Sequence, residues 1–309
     1  MFTLQNSINF AKTYQQYSPL TAGLGQEPAV SIGSMIKNSM LNPPMTWFFN
    51  RAEFTFTTVA GTQDYNEQIS DLSFVEKVSI TDDQGEINEM KDVYNNSALS
   101  PSAFQQRPTA VSIEKTYVQS NLRYFTFRFM GVPDKVYTVT VVYQKLAPQM
   151  GPFFITSVAN HVSTQTTYTG AFDPLSFPVG ATANITGFTT AANNGSFVVV
   201  SCTATTLVVT SSAGVAETKA AYATNFSWDP IPDQYSDIYN NLFLAEALAE
   251  SDDAKAQIYR QRGVGALLAK STGLTEMQKN AFAQQWLARG TAGQGVMGLI
   301  QLGNAGRGQ

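Results

Sequence analysis

The sequence predicts an α+β protein: an antiparallel β-sheet with an N-terminal helix and a C-terminal helical bundle, plus an inserted small all-β domain. Three observations lead to this prediction. Apolar residues recur with a helical period near residue 30 and again after residue 234, they alternate with a period of two between residues 52 and 146, and the composition changes over residues 152–226. A period near 3.6 is typical of amphipathic helices, and a period of two is typical of half-buried strands.

The N-terminal region divides into an arm and a helix. Residues 1–26 are polar and aromatic without a clear period, and we interpret them as an arm. A helix is expected to begin at Pro28, because proline is favoured at the first helical position. The sequence Asn42-Pro43-Pro44 ends it, since a residue before proline avoids the α conformation. The apolar stripe of this helix consists of Ile32, Met35, Ile36, Ser39 and Met40.

Residues 52–146 predict strands. The clearest alternation is Phe125, Phe127 and Phe129, which we interpret as sheet core rather than as a sugar-binding platform. Several such segments, separated by turn residues, favour an antiparallel sheet with one buried face. The other strands are expected around residues 54–56, 74–80, 111–113 and 137–143.

A separate small β-domain is expected over residues 152–226. This stretch holds a single basic residue, Lys219, and is rich in Thr, Ala, Gly, Val and Asn. Short strands are predicted at 197–200 and 207–209, and Asn193-Asn194-Gly195 predicts a hairpin turn, because Asn-Gly tolerates positive φ. The segment would interrupt a core made of residues 27–151 and 227–289.

The C-terminal third returns to helical spacing. Thr275 and Gln278 match a capping box at the start of the last helix. Residues 290–309 contain many glycines and are interpreted as a C-terminal arm around an apolar cluster. The predicted apolar stripes are Tyr235, Ile238, Tyr239, Leu242 and Ala245, and then Met277, Ala281, Phe282 and Trp286.

The counts of reactive residues exclude several kinds of site. One cysteine, Cys202, and one histidine, His161, cannot form an intrachain disulfide or a Cys/His zinc site. We expect Cys202 to be buried in a strand and His161 to lie in a surface loop. Nucleotide-binding loops and nucleophile-elbow motifs are missing. We therefore expect that the protein binds no cofactor and is not an enzyme. The residue counts do not exclude catalysis by a pair of carboxylates, but no such pair stands out in the sequence.

Membrane insertion and secretion are not expected. The sequence contains no run of about 18 apolar residues, which a transmembrane helix requires. The first residues show no basic segment before an apolar stretch, so a signal peptide is not predicted.

Charge is distributed unevenly along the chain. The net charge is −4, yet the residues from Lys255 onward carry seven basic groups and one acid, which gives +6. The densest acidic run is Asp82, Asp83, Glu86, Glu89 and Asp92, which could face a neighbouring subunit or a partner. An acidic total disfavours tight, sequence-independent DNA binding, which needs clustered Lys and Arg.

Several segments, taken in order, resemble the head-to-tail adaptor proteins of tailed bacteriophages. They are residues 56–65 (FTTVAGTQDY), 72–78 (LSFVEKV), 107–110 (RPTA), 133–139 (PDKVYTV) and 229–238 (DPIPDQYSDI). The resemblance covers about residues 28–150 and 228–289. It implies a connector ring beneath the portal, commonly of twelve copies, through which DNA passes and onto which the tail docks.

The insert has its own resemblance, to a β-module that recurs in phage virion proteins. The similar segments are residues 184–188 (NITGF), 193–199 (NNGSFVV), 206–209 (TLVV) and 214–217 (GVAE). Simpler adaptors lack such a module between the sheet and the C-terminal helices.

These resemblances imply a structural virion protein of the neck, made in the host cytoplasm. The expected partners are further copies in a ring of about twelve, the portal protein, a tail or nozzle protein, and genomic DNA in the lumen, bound without sequence specificity; no membrane is expected. The alternatives are a carbohydrate-binding or fibre-attaching tail protein, and a virion-associated hydrolase. The expected partner-binding residues are Arg260, Arg262 and Lys270 beside the tail residues Val296, Met297, Leu299, Ile300 and Leu302.

Overall fold

A computed structural model describes residues 3–14, 28–92, 105–119, 122–249, 255–271 and 273–288. Its antiparallel sheets and C-terminal helices confirm the α+β class. The helices are α1 (Leu4–Tyr14), α2 (Pro28–Leu41), α3 (Ser236–Ala249), α4 (Ala256–Lys270) and α5 (Glu276–Ala288). The strands are β1 (Arg51–Thr57), β2 (Asp64–Gln68), β3 (Leu72–Thr81), β4 (Ile87–Glu89), β5 (Lys91–Asp92), β6 (Ala110–Gln119), β7 (Leu122–Met130), β8 (Thr138–Lys145), β9 (Phe153–Val158), β10 (Gln165–Gly170), β11 (Thr182–Thr186), β12 (Gly195–Cys202), β13 (Thr206–Thr210) and β14 (Glu217–Thr224).

The chain divides into two compact units. The described residues up to 40 and from 148 onward form one, which we call the helix–barrel unit, and those between 41 and 147 form the other, the sandwich unit. This division differs from the predicted one, which joined the sheet to the C-terminal helices and set residues 152–226 apart. In the structure the strands of 152–226 belong with the helices, and the sheets are a unit of their own. The predicted C-terminal arm, 290–309, lies outside the described residues.

The sandwich unit contains two four-stranded sheets, where the sequence predicted one. Their strand orders are β1-β8-β3-β4 and β2-β7-β6-β5, and every pair is antiparallel except β5 with β6. Each sheet is apolar on one face and covers the other. Phe125, Phe127 and Phe129 are buried in the shared core, as predicted, together with Val139 and Val141 from β8.

The acidic run of the sandwich unit is largely engaged within the unit. Asp82 accepts hydrogen bonds from the backbone N–H groups of Gln84 and Glu86, at 3.0 and 2.9 Å. These bonds shape the turn between β3 and β4, so we assign the run to local structure rather than to a free docking face. The side chain of Asp92 lies outside the described residues. Ion pairs join Asp83 to Lys135, Glu86 to Arg107 and Glu89 to Lys77.

Six strands of the helix–barrel unit close into an antiparallel barrel. The order around it is β10-β13-β12-β11-β14-β9, and β9 returns to β10. The predicted hairpin at Asn193-Asn194-Gly195 is confirmed in part: β11 and β12 pair antiparallel, and Gly195, the first residue of β12, has a φ of +145°. The expected tight turn is wrong, because Asn193 and Asn194 end a longer connection that begins after Thr186. Asn193 is buried, and its amide donates to the backbone oxygen of Val215 and to Glu217, each at 3.0 Å. The barrel core includes Ile155, Tyr168, Ile185, Val199, Leu207 and Val209.

The predicted N-terminal arm contains a helix, α1. Leu4, Ser7, Ile8 and Ala11 are buried along one stripe with the spacing i, i+3, i+4 and i+7. The helix packs on α3, where the Ser7 hydroxyl donates to Asn240 Oδ1 at 2.7 Å. The arm interpretation is therefore wrong for residues 4–14, and residues 15–27 lie outside the described part of the chain.

The last helix confirms its capping box but only half of its apolar face. The backbone N–H of Thr275 donates to Gln278 Oε1 at 2.9 Å, and the N–H of Gln278 donates to Thr275 Oγ1 at 3.3 Å. Phe282 and Trp286 are buried, whereas Met277 is 79% exposed. Ala281 is exposed as well. None of the described helices combines the length and the apolarity that crossing a membrane would need.

Two glycines of α4 provide a matched test of its packing on α3. A methyl group on Gly263 would lie 2.7 Å from Leu242 Cγ and 3.1 Å from the Leu242 backbone nitrogen, whereas one on Gly265 would meet nothing within 4 Å. We expect Gly263→Ala to lower the free energy of unfolding by about 1–3 kcal/mol through overpacking. Gly265→Ala should raise it by about 0.5–1 kcal/mol. Urea unfolding followed by circular dichroism measures both, and equal effects would contradict close α3–α4 packing at Gly263.

Candidate interaction surface

The predicted partner-binding residues separate into two groups. Arg260, Arg262 and Lys270 all lie on α4, while the tail residues 296–302 lie outside the described residues. Because of their spacing along the helix, the three basic side chains face different surroundings and make different contacts.

Arg260 belongs to the interior of the helix–barrel unit. Its side chain is 2% exposed, and its Nη2 and Nε atoms lie 3.0 and 3.2 Å from Glu246 Oε1 on α3. A buried guanidinium needs a paired carboxylate to offset its lost hydration. We therefore assign Arg260 to the packing of α4 on α3, which corrects its expected role in partner binding.

Lys270 is also engaged within the unit. Its ammonium lies 2.7 Å from Asp237 Oδ1 and 3.2 Å from the backbone oxygen of Gln234. It also lies 5.3 Å from the centre of the Tyr235 ring, a cation–π geometry. These contacts join the end of α4 to the start of α3. We therefore assign Lys270 to the packing between the two helices.

Arg262 is the exposed basic residue of the three. Its guanidinium carbon lies 5.4 Å from the centre of the Tyr259 ring. Among the described residues, no carboxylate lies within 4.0 Å of this guanidinium. Its charge is therefore available to a partner, while the tyrosine ring limits the directions in which it can point.

Aromatic side chains of α1 continue the surface around Arg262. The Tyr14 and Tyr259 rings meet edge-on with their centres 5.7 Å apart, and Phe10 lies 5.2 Å from Tyr14. Tyr14 is 54% exposed. Ile258, four residues before Arg262 along the helix, is 49% exposed. We call Phe10, Tyr14, Ile258, Tyr259 and Arg262 the α1–α4 aromatic face.

The composition of the α1–α4 aromatic face is that of a protein-binding surface. Tyr and Arg dominate the energetically important positions of protein interfaces, because they combine apolar area with directional hydrogen bonding. Tyr14 and Ile258 leave large apolar areas in water, and a partner would remove them from water at a gain of roughly 25 cal/mol per Å². An acidic group on the partner would complete the surface by pairing with Arg262.

The residues considered for chemistry do not form a site. Cys202 is half-buried rather than fully buried, and burial, with a smaller contribution from Asp173, raises the pKa of its thiol to about 11. A thiol of this kind is a weak nucleophile at neutral pH. His161 is exposed in a loop, as predicted, with Nδ1 3.0 Å from the backbone oxygen of Gly214. Within the described ranges, no three His, Cys, Asp or Glu side chains are grouped closely enough to hold a metal ion.

Two aromatic residues in or just after the barrel, Tyr168 and Trp228, are buried and offer no surface to a sugar ring. Tyr168 is fully buried in the barrel, and its hydroxyl donates to the backbone oxygen of Asn193 at 3.0 Å. Trp228, just after the barrel, is stacked on Tyr239 of α3 with ring centres 4.3 Å apart. Both rings therefore stabilise the fold.

Scans of the sequence against models of known protein families and against curated proteins find no match. The basic C-terminal segment of the sequence indicated Arg262 but not the aromatic residues around it. Residues 10–14 carried no recognised helix, so the spatial link between Tyr14 and Tyr259 had no signal in the sequence.

Proposed function

We propose that this chain is a structural virion protein, the head-to-tail adaptor of a tailed bacteriophage. In this proposal about twelve copies form a ring in the neck, beneath the portal, which joins the capsid to the tail and lets the genomic DNA pass. The proposal begins from the ordered segments that resemble adaptor proteins. The structural observation that carries it is the exposed α1–α4 aromatic face, which has the chemistry of a subunit or portal contact.

In this proposal, each part of the fold corresponds to a part of an adaptor protein. The strands of the sandwich unit and the helices α2 to α5 would be the adaptor elements, and the barrel would be a module inserted between them. A tail or nozzle protein would dock on the far side of the ring. Residues 290–309 are proposed to bind a groove of the portal or of a neighbouring subunit. The role is structural rather than catalytic.

Charge asymmetry supports a contact between unlike surfaces. A ring needs two different, complementary patches on every subunit, because the interface is heterologous. The residues from Lys255 onward carry +6, and the remainder of the chain carries −10. Arg262 lies in the basic segment, and its partner in a neighbouring copy or in the portal would be acidic. Complementary charge speeds association and fixes its register more than it adds affinity.

The α1–α4 aromatic face makes a direct prediction about assembly. We expect Arg262→Ala and Tyr259→Ala each to weaken association with other copies or with the portal at least tenfold, which is the range of interface hot spots. The measurement is light scattering of the full chain, alone and mixed with the portal protein encoded by the same genome.

The matched control is Gln261→Ala, which alters an exposed residue on the same helix. It should assemble as the unaltered chain does. Circular dichroism of all three variants checks that the helices are intact. If Arg262→Ala and Tyr259→Ala assemble as well as Gln261→Ala does, the face is not the contact.

A further inference from the structure

A large cleft opens on the surface of the helix–barrel unit. Its volume is about 950 Å³, at the upper end of the range of roughly 300–1,000 Å³ typical of small-molecule sites. It lies between the outer wall of the barrel, the turn at residues 178–181, and the segment 225–229 beside the start of α1. All of these elements belong to one unit and to the described residues.

Strand β11 forms the floor of the cleft. Its Ala183 and Ile185 side chains are buried in the barrel core. Because side chains alternate along a strand, Thr182 and Asn184 point out of the barrel. Both line the cleft. The Ser196 hydroxyl on β12 donates to Asn184 Oδ1 at 2.6 Å and so fixes the orientation of the amide.

The walls add an aromatic ring, an aliphatic side chain and a carboxylate. Phe226 is half-buried, and Val179, in the turn at residues 178–181, is 76% exposed. Asp229 also lines the cleft, and its Oδ2 atom accepts from the Ser227 hydroxyl at 2.7 Å. Gln5, on the first turn of α1, completes the rim.

The polar atoms of the cleft have unused hydrogen-bonding capacity. Within the described part of the chain, Asn184 Nδ2 and the Thr182 hydroxyl have no partner, and neither do Asp229 Oδ1 and Gln5 Oε1. Asn184 Nδ2 donates hydrogen bonds, Asp229 Oδ1 and Gln5 Oε1 accept them, and the Thr182 hydroxyl can do either. A ligand that matches them must therefore both donate and accept at closely spaced positions.

We propose that this cleft binds a neutral carbohydrate, as an oligosaccharide or as the end of a glycan. Sugar hydroxyls donate and accept at once, which suits an amide, a hydroxyl and a carboxylate in one lining. Hydrogen bonds to the carboxylate of Asp229 are charge-assisted and stronger than hydrogen bonds between neutral groups. Phe226 and Val179 offer apolar surfaces to the C–H faces of a sugar ring. The site is independent of the proposed adaptor function.

Anionic ligands suit the cleft poorly. Among the described residues, no lysine or arginine lines the cleft, and the one charged side chain in its lining is Asp229. The nearby Lys37 is 1% exposed, and its ammonium donates to the backbone oxygen of Ser227 at 3.0 Å. A phosphate or a carboxylate would therefore meet a like charge without a compensating cation.

The test uses the full chain with maltotetraose, cellotetraose and chitotetraose as probes. Isothermal titration and saturation-transfer NMR measure binding to the unaltered chain and to the variants Asp229→Asn and Asn184→Ala. We expect at least one probe to bind, and each variant to weaken that binding at least tenfold. Gln284→Ala, which alters an exposed residue of α5, is the matched control and should bind as the unaltered chain does.

Three results would overturn the carbohydrate site. They are no binding of any of the three probes at millimolar concentration, binding that neither variant weakens, and tighter binding of a neutral peptide in the same cleft. Thermal melting of each variant shows that the fold is retained. If Asn184→Ala is unstable, the binding of the probes is measured instead with Thr182→Val, which removes one hydroxyl and keeps the shape of the side chain.

Discussion

Replacing Arg260 with methionine is expected to lower the free energy of unfolding of the helix–barrel unit by about 3 kcal/mol. The guanidinium is 2% exposed and its partner Glu246 is 17% exposed, so the substitution leaves a largely buried carboxylate without its cation. This loss of stability is at the low end of the range for breaking a buried ion pair, because water still reaches Glu246. Urea unfolding followed by circular dichroism measures the effect.

The matched control for Arg260 is Arg262. Arg262→Met alters an exposed arginine two residues away on the same helix and should change the free energy of unfolding by less than about 0.5 kcal/mol. The double variant Arg260→Met with Glu246→Met should recover most of the loss, since an apolar pair can replace a buried ion pair. Equal stabilities of the Arg260→Met and Arg262→Met variants would contradict the structural role of Arg260.

The stability of the helix–barrel unit should rise with pH between about 7 and 9.5. Burial lowers the pKa of Lys37 to about 7, against an opposing contribution from Asp229. In the unfolded chain a lysine titrates near 10.4, so above pH 7 the unfolded state binds more protons than the folded state. The free energy of unfolding then increases by up to about 1.4 kcal/mol per pH unit. Below pH 7 the lysine is charged in both states and its contribution is constant.

Lys37→Met should remove this slope, and Lys12→Met, at an exposed position of α1, should leave it unchanged. Urea unfolding at several pH values from 6.5 to about 9.5 provides the comparison. The upper limit avoids the tyrosines, because burial raises the pKa of Tyr168 and makes stability fall at higher pH. An equal slope in the Lys37→Met variant would show that Lys37 does not titrate in this window.

The sequence predicted those elements in which one local rule dominates. Helix α2 begins at Pro28 and ends before the proline pair, and the Phe125, Phe127 and Phe129 alternation is buried as expected. The capping box of α5 also forms, because it needs only residues three positions apart. In each case the deciding interaction is local or depends on a simple period.

The sequence failed where a polar residue occupies a buried stripe or where the partner is distant. Helix α1 was missed because Ser7 interrupts its apolar stripe, and the residue that satisfies the Ser7 hydroxyl is Asn240, far along the chain. The burial of Arg260 could not be predicted for the same reason, because it depends on the position of Glu246 on α3. Met277 falls on the predicted apolar stripe of α5, but it is exposed because no neighbouring element covers it among the described residues.

The candidate sites also combine features that a local pattern predicts with features that depend on residues distant in sequence. Arg262 could be identified from charge alone, but its exposed setting depends on Tyr259 and on Tyr14 from another helix. The cleft combines β11, the segment before α3 and the start of α1, and its lining extends in sequence from Thr3 to Asp229. No period or motif joins such residues, so only the folded chain brings them together.

The most direct test of the adaptor proposal is electron microscopy of the full chain purified alone and mixed with the portal protein of the same genome. The proposal predicts closed rings with a central channel, most of them twelvefold, stacked on the portal. A monomer that assembles only when the portal is present agrees with this prediction. Single, unassembled copies in both samples would contradict the proposal that this chain is a ring-forming adaptor.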